Sequence, residues 1–202
     1  MEQKAYFFDF DGTLTTGDTL IAFVAFARGR AALAAWLAIN SPLLVLMKIG
    51  LCSNHKMKQR MFERFFKGMP SDQFEALCRR FAAANMQLLR PEGIAAMRKA
   101  LEQGSPVMVV SASIDNWVGA FFDLAFSRAR FRPSIEGTRI ETKGGKLTGR
   151  FATPNCYGPE KVRRIKEAMP AWDKYKRIAF GDSRGDKEML EFADEPHYKP
   201  FR

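Results

Sequence analysis

Histidine is nearly missing. There are two among 202 residues, His55 and His197, and they stand in no metal-ligand spacing. A zinc site needs clustered nitrogen and sulfur ligands, so this argues against one. No histidine pairs with a strained serine elbow, which argues against a Ser-His-Asp hydrolase. Cysteine is as sparse: Cys52, Cys78 and Cys156 are odd in number and far apart. No disulfide framework is expected, and the usage fits a reducing, cytoplasmic setting. Long apolar runs are lacking as well. The charged start gives way to an apolar run of only about four residues, too short for a signal peptide. Low-complexity tracts and internal repeats are absent. Acidic residues are in deficit, 22 against 32 Lys and Arg, for a net charge of +10. That balance favours an anionic partner such as a phosphorylated metabolite, an anionic membrane or a nucleic acid.

What remains is ordinary for a soluble globular chain: 47% apolar and 27% charged residues. The length suits one domain with a smaller second lobe. Lys4 to Phe8 reads as a buried strand, and Asp18 to Arg28 as a helix capped by Thr16 or Asp18. Ala31 to Met47 holds no charged residue, falls short of a membrane span and is interrupted by Asn40-Ser41-Pro42. It reads as two short apolar helices buried in a small lobe. A peripheral membrane contact, flanked by Arg28, Arg30 and Lys48, is the alternative. "KMKQRMFERFFK" (56–67) reads as a basic helix. Pro70-Ser71-Asp72 starts another helix, running to about Leu88, and Pro91 starts one that stops near Gln103-Gly104.

The pattern then changes. "PVMVVSAS" is a β-branched run of the kind buried on both faces in parallel sheets, ending at Ser111. A helix from about Asp115 to Leu124, a hairpin around Gly144-Gly145, a helix in "GPEKVRRIKEAM", a strand in "YKRIAFGDS" and a helix in "RGDKEMLEFA" follow. Alternating strands and helices predict an α/β fold with a mostly parallel, Rossmann-like sheet. The helical block over residues 16–89 predicts an all-helical cap inserted into a discontinuous core, 1–15 and 90–202.

In such sheets ligands bind at the carboxyl ends of strands. Asp9, Asp11, Ser111, Asp182 and Asp186 are all expected there. Four carboxylates repel one another unless a cation sits among them, and hard oxygen donors suit Mg²⁺. A carboxylate can also be a nucleophile, with a serine and Lys161 to neutralise charge in phosphoryl transfer. Two neighbouring carboxylates with separated pKa values form an acid/base device.

"DFDGT", Ser111, Lys161 and "GDSRGD" resemble, in order, the four motifs of the haloacid dehalogenase-like phosphatase superfamily. The helical insertion resembles its phosphoserine phosphatase subgroup. The resemblance implies Asp9 as nucleophile and Asp11 as general acid, then base. It implies Mg²⁺ on Asp9, the Asp11 carbonyl and Asp182, with Asp186 in support. Ser111 and Lys161 would hold the phosphoryl group, assisted by amides near Gly12 and Ala112, and Thr13 would order the loop. Asp18 occupies the position where phosphoserine phosphatases carry an acidic residue for the substrate, and Arg60 or Arg64 lies near the position of their arginine. Two departures stand out: Ala112 and Ser113 replace the usual two glycines, and the cap is unusually apolar. The cap and "NCYGPEKV" resemble the branch that includes bacterial phosphatidylglycerophosphate phosphatases. A small phosphorylated metabolite is therefore the expected substrate, and an anionic phospholipid head group at the membrane surface is the alternative. A second alternative is nucleic-acid binding through the aromatics and cations of 56–67.

Overall fold

The computed structural model describes residues 3–49, 51 and 53–202. Cys52 lies outside them, as does the side chain of Lys48. Strand β1 (Lys4–Phe8) is the middle of a five-stranded sheet. Its neighbours are β2 (Val107–Ile114) and β6 (Lys176–Gly181). Strands β3 (Ser134–Thr138) and β7 (Glu195–Tyr198) form the edges. Every pairing is parallel, in the order β3-β2-β1-β6-β7. The chain therefore builds one side of the sheet, β1 to β3, and then crosses to build β6 and β7 on the other. The switch lies between β1 and β6, the place where such sheets bind ligands.

Strand alternation sorts the two faces. Phe7, Met108, Val110 and Ala179 pack with Ile165 and Met189, which belong to α8 (Pro159–Ala168) and α9 (Lys187–Phe192). Phe8, Val109, Ile178 and Phe180 turn the other way, toward α6 (Pro91–Glu102) and α7 (Asp115–Ala125). Both faces are covered, which is why the strands read as continuous apolar runs.

Among the described residues, five α-helices lie between β1 and α6: α1 (Thr19–Arg28), α2 (Arg30–Ile39), α3 (Ser41–Lys48), α4 (Asn54–Phe66) and α5 (Ser71–Ala84). The outgoing and returning segments touch side by side through a bridge between Thr15 and Leu89. Aromatic contacts join the block to the sheet layers. Phe23 stacks on Trp117 with ring centroids 4.7 Å apart, and Phe81 meets Phe121 edge-on at 5.6 Å. The aromatics of α4 are spent here: Phe62 and Phe66 are buried against Phe74. They cannot serve as a stacking surface for bases, which removes the aromatic half of the nucleic-acid alternative and leaves only its cations.

Four details differ from the sequence pattern. β2 runs three residues past Ser111, with a register shift against β3 between Val110 and Ile114. The single hairpin expected over "SIEGTRIETKGGKLTGRF" divides: its first part is the parallel strand β3. Only β4 (Ile140–Lys143) and β5 (Lys146–Phe151) pair across Gly144-Gly145. The helix expected to reach Leu88 ends at Ala84 and is followed by a single tight turn, Met86–Leu88. β7 carries Pro196, a residue tolerated in sheets at an edge, where its missing N–H breaks no ladder. Cys78 and Cys156 are free and buried.

Candidate active site

Asp9 follows Phe8, so it continues the alternation onto the face of Phe7, over which α8 packs. Its backbone N–H donates to the Phe180 carbonyl at 2.9 Å, which ties the strand end to β6. Lys161, in the first turn of α8, reaches it there. A cation at a helix N-terminus opposes the helix dipole, so this position needs a compensating partner. It has two. Lys161 Nζ lies 2.5 Å from Asp9 Oδ1 and 2.6 Å from Asp186 Oδ1, and it donates to the Val110 carbonyl at 2.7 Å. The side chain is 1% exposed. Burial works against the Lys161 charge, but Asp9 and Asp186 outweigh it and hold the ammonium well above the usual lysine range. Burial pushes the Asp9 carboxyl up to about 7. Lys161 opposes that rise, and Asp186 and Asp11 add to it.

Asp186 is spent on architecture. Its Oδ2 accepts from the Asp182 and Ser183 amides at 3.1 and 3.0 Å and from Ser183 Oγ at 2.9 Å. Burial pushes its carboxyl up, but Lys161 and the Ser183 donors prevail and hold it below the ordinary value. One oxygen each from Asp9, Asp182 and Asp186 lies within 4.8 Å of the others. The donors are all hard carboxylate oxygens, with no nitrogen or sulfur, which fits Mg²⁺. Asp182 is raised by burial and by the Asp186 charge, against Arg202. The Arg202 guanidinium pairs with Asp182 Oδ2 and approaches the Gly12 carbonyl at 3.4 Å.

The loop between β1 and α1 is shaped by Gly12 and Thr15. Gly12 has φ +81°, and a Cβ there would sit 2.5 Å from Asp182 Oδ2, so no other residue allows this approach. Thr15 Oγ1 accepts from the Gly12 amide at 3.2 Å and donates to the Gly17 carbonyl at 2.8 Å. Thr15 therefore orders the loop, the task the resemblance implied for Thr13. Thr13 is buried, and among the described residues its hydroxyl reaches only Asp182 Oδ1, at 3.5 Å.

Asp11 stands apart from Lys161. Its Oδ1 accepts from Thr19 N at 2.8 Å and from Thr19 Oγ1 at 2.6 Å, and Ser113 Oγ donates to Oδ2. Burial and the Asp18 charge raise its carboxyl, against these hydrogen bonds and Lys58. Thr19, Ser113 and Lys58 escaped sequence reasoning, although Ser113 was visible as a departure from glycine.

A cavity of about 340 Å³ opens over these groups. Asp9, Asp11, Gly12, Ala112, Lys161, Asp182 and Asp186 line it. Ser111 is fully buried behind the wall, its Oγ accepting from the Ser113 amide at 3.0 Å. Asp18 is at the cavity, but its Oδ1 caps α1 by accepting from Leu20 N and Ile21 N. Arg60 and Arg64 are not brought to the site. They line a separate cavity with Trp36 and Ile39. The helical face that does turn toward the aspartates carries Asn54 and Lys58, and Lys58 Nζ lies 3.4 Å from the Ala112 carbonyl. The reason is phase: at about 100° per residue, position 60 lies some 200° around the helix from position 58.

An α/β enzyme with a carboxylate–lysine site at its switch point is the class this geometry defines. The chain belongs to the haloacid dehalogenase-like hydrolases, whose family model matches residues 6–191. It is 34% identical over 197 residues to Protein CicA of Caulobacter vibrioides, covering 96% of this chain and 85% of CicA. A structure of a protein of unknown function from Bordetella pertussis Tohama I superposes with a TM-score of 0.80 at 18% identity, covering 97% of this chain and 89% of that one. A substrate-bound phosphoserine phosphatase superposes with a TM-score of 0.69 at 17% identity, covering 98% and 86%. Both superpositions show the same fold.

Proposed function

We propose that this hydrolase cleaves phosphomonoesters through a covalent aspartyl-phosphate on Asp9. The observation that carries the reading is the placement of Asp9. It is a buried carboxylate at a strand end, with one oxygen held by Lys161 and two further carboxylates beside it. In the first half-reaction an Asp9 oxygen attacks phosphorus, the ester P–O bond breaks, and Asp11 gives its proton to the leaving oxygen. In the second, Asp11 takes a proton from water as that water attacks phosphorus, releasing phosphate and regenerating Asp9. Lys161 and the amides near Gly12 and Ala112 hold the phosphoryl oxygens, with Ser111 buried behind the wall. Asp9, the Asp11 carbonyl and Asp182 would hold Mg²⁺, with Asp186 fixing the Asp182 loop. When bound, the ion supplies positive charge to the phosphoryl group. Residues 16–89 act as a cap that closes the cavity over this chemistry.

The cavity size suits a small phosphorylated metabolite. Lys58 and Asn54 are placed to read the part that is not transferred, with Asp18 beside them. A phosphoserine-like zwitterion would put its carboxylate on Lys58 and its ammonium on Asp18. Hydrolysis of p-nitrophenyl phosphate in Mg²⁺, lost in chelator and in Asp9→Asn, is the expected result. Turnover that survives in Asp9→Asn sinks the mechanism.

A second reading, a phospholipid head group at an anionic membrane surface, is favoured by exposed apolar residues between positions 39 and 51. Ile39, Val45, Ile49 and Leu51 are 78, 58, 63 and 74% exposed. Between residues 19 and 62 the chain has no acidic residue, whereas Arg28, Arg30, Lys48, Lys56, Lys58 and Arg60 are all basic. Exposed apolar residues interspersed along the sequence with cations suit the bilayer interface. No single helix among the described residues is long and apolar enough to cross a membrane; α1 and α2 pass that test only as a pair bent by 120°. Flotation with phosphatidylglycerol vesicles decides it: failure to float at low salt ends this reading.

A further inference from the structure

The grip on Asp11 has an unequal geometry. Thr19 contributes two hydrogen bonds, from its amide at 2.8 Å and its hydroxyl at 2.6 Å, and both end on Oδ1. Two bonds on one oxygen pin a point and leave the carboxyl free to pivot about it. Among the described residues, Ser113 is the one side chain bonded to Oδ2. It comes from β2, whereas Thr19 comes from α1, so the third point is set by a different element. Each hydroxyl has one proton to give. Trp117 Nε1 donates to Thr19 Oγ1 at 3.1 Å, leaving the Thr19 proton for Oδ1. The Ser113 proton goes to Oδ2, and the 3.2 Å contact between the two hydroxyls carries none.

Ser113 is itself held. It is 2% exposed, its amide donates to Ser111 Oγ at 3.0 Å, and it lies in the stretch where β2 shifts register against β3. Bulges of this kind re-aim side chains near active sites. The adjoining Ala112 carbonyl accepts from Thr138 Oγ1 at 2.9 Å, which ties the irregularity to β3.

We propose that Ser113 is a positioning residue that fixes the plane of the Asp11 carboxyl, so that Oδ2 is presented to the leaving oxygen and then to water. The proposal rests on the phosphoryl-transfer reading above. A protonated carboxyl oxygen keeps acceptor capacity, so Ser113 can go on donating to Oδ2 in both half-reactions and leave the acid's own proton free for the leaving oxygen. Glycine at 113 offers no such contact. The departure from two glycines is thus a change in how the acid is aimed.

The test uses kcat/KM, which reports the steps up to phosphoryl transfer, on two esters. p-Nitrophenyl phosphate has a leaving group that departs with little help from an acid; phenyl phosphate releases a much stronger base. Ser113→Ala should lower kcat/KM about 10–100-fold on phenyl phosphate and less than about threefold on p-nitrophenyl phosphate. In an Asp11→Asn background the same substitution should change phenyl phosphate turnover by less than about twofold, because the two residues act as a unit. Equal losses on both esters, no loss on either, or a full loss that persists in Asp11→Asn would overturn the proposal. Ser113→Gly, which also removes the hydroxyl and matches the phosphoserine phosphatase pattern, replaces alanine if that variant does not fold. If the parent protein hydrolyses neither ester, or Asp9→Asn remains active, the phosphoryl-transfer reading itself falls and takes this proposal with it.

Discussion

Replacing Lys161 with methionine keeps the length of the side chain and removes its charge. In the parent protein Nζ touches Asp9, Asp186 and the Val110 carbonyl within 2.7 Å, at 1% exposure. The variant leaves two carboxylates buried with no counter-charge, and breaking one side of a buried ion pair costs about 3–5 kcal/mol. For a chain of this size each kcal/mol moves the melting temperature by about 2–4 °C, so a fall of about 6–20 °C is expected. The loss should depend on pH. Asp9 already sits at about 7 because burial raises it, and without Lys161 it rises further. Asp186 loses the partner that holds it low. A carboxyl raised in the folded state contributes stability that is full below its unfolded value and is lost as pH rises through its folded value. The deficit in Lys161→Met should therefore be smaller at pH 5.5 than at pH 8. Urea and thermal unfolding in chelator at both pH values measure it. A deficit under about 1 kcal/mol at pH 8, or one larger at pH 5.5, refutes the reasoning.

The same sign governs the unsubstituted protein. Metal-free, it should lose stability between pH 5 and 8.5, with Asp9 accounting for up to about 3 kcal/mol of that fall as its carboxyl, raised from 3.8 to about 7, is forced to ionise; added Mg²⁺ should flatten the fall in a melting series. Arg202→Ala should tighten Mg²⁺ binding about 2–10-fold by freeing Asp182 Oδ2, read by titration calorimetry. An unchanged affinity contradicts that competition. Lys58→Ala should raise KM for an anionic metabolite about tenfold or more. Arg60→Ala should leave it within about twofold, since Arg60 faces another cavity; the reverse order would reinstate Arg60 as the specificity cation.

Helices and strands were largely legible because their signals are local. The Asp18 cap, the 30–39 and 41–48 helices and the buried runs of β2 and β6 all follow from side-chain pattern. The convergence of Asp9, Lys161, Asp182 and Asp186 was legible from motif order and from the rule that parallel strands gather their ends. What escaped depended on phase and on long-range packing. Sequence places a helix at 56–67, but which face meets the aspartates is set by packing on Phe23, Phe74 and Phe151. That choice separates Lys58 from Arg60. Ser113 reads as an anomaly until β2 extends beyond Ser111 and α1 delivers Thr19 beside it. Thr13 and Thr15 look alike on paper, and only the turn of the loop assigns Thr15 the bonds to Gly12 and Gly17. β7 is too short, and too interrupted by Pro196, to announce itself before β6 is there to pair with it.

The central claim is that Asp9 carries the phosphoryl group. Acid-quenching the protein during turnover of p-nitrophenyl phosphate, then reducing with borohydride, converts an acyl phosphate into a primary alcohol at the residue that bore it. Peptide mapping should find that modification at Asp9 alone, in proportion to quenched phosphoenzyme. Steady turnover with Asp9 unmodified, or the modification on Asp11 or Asp182, would contradict the account.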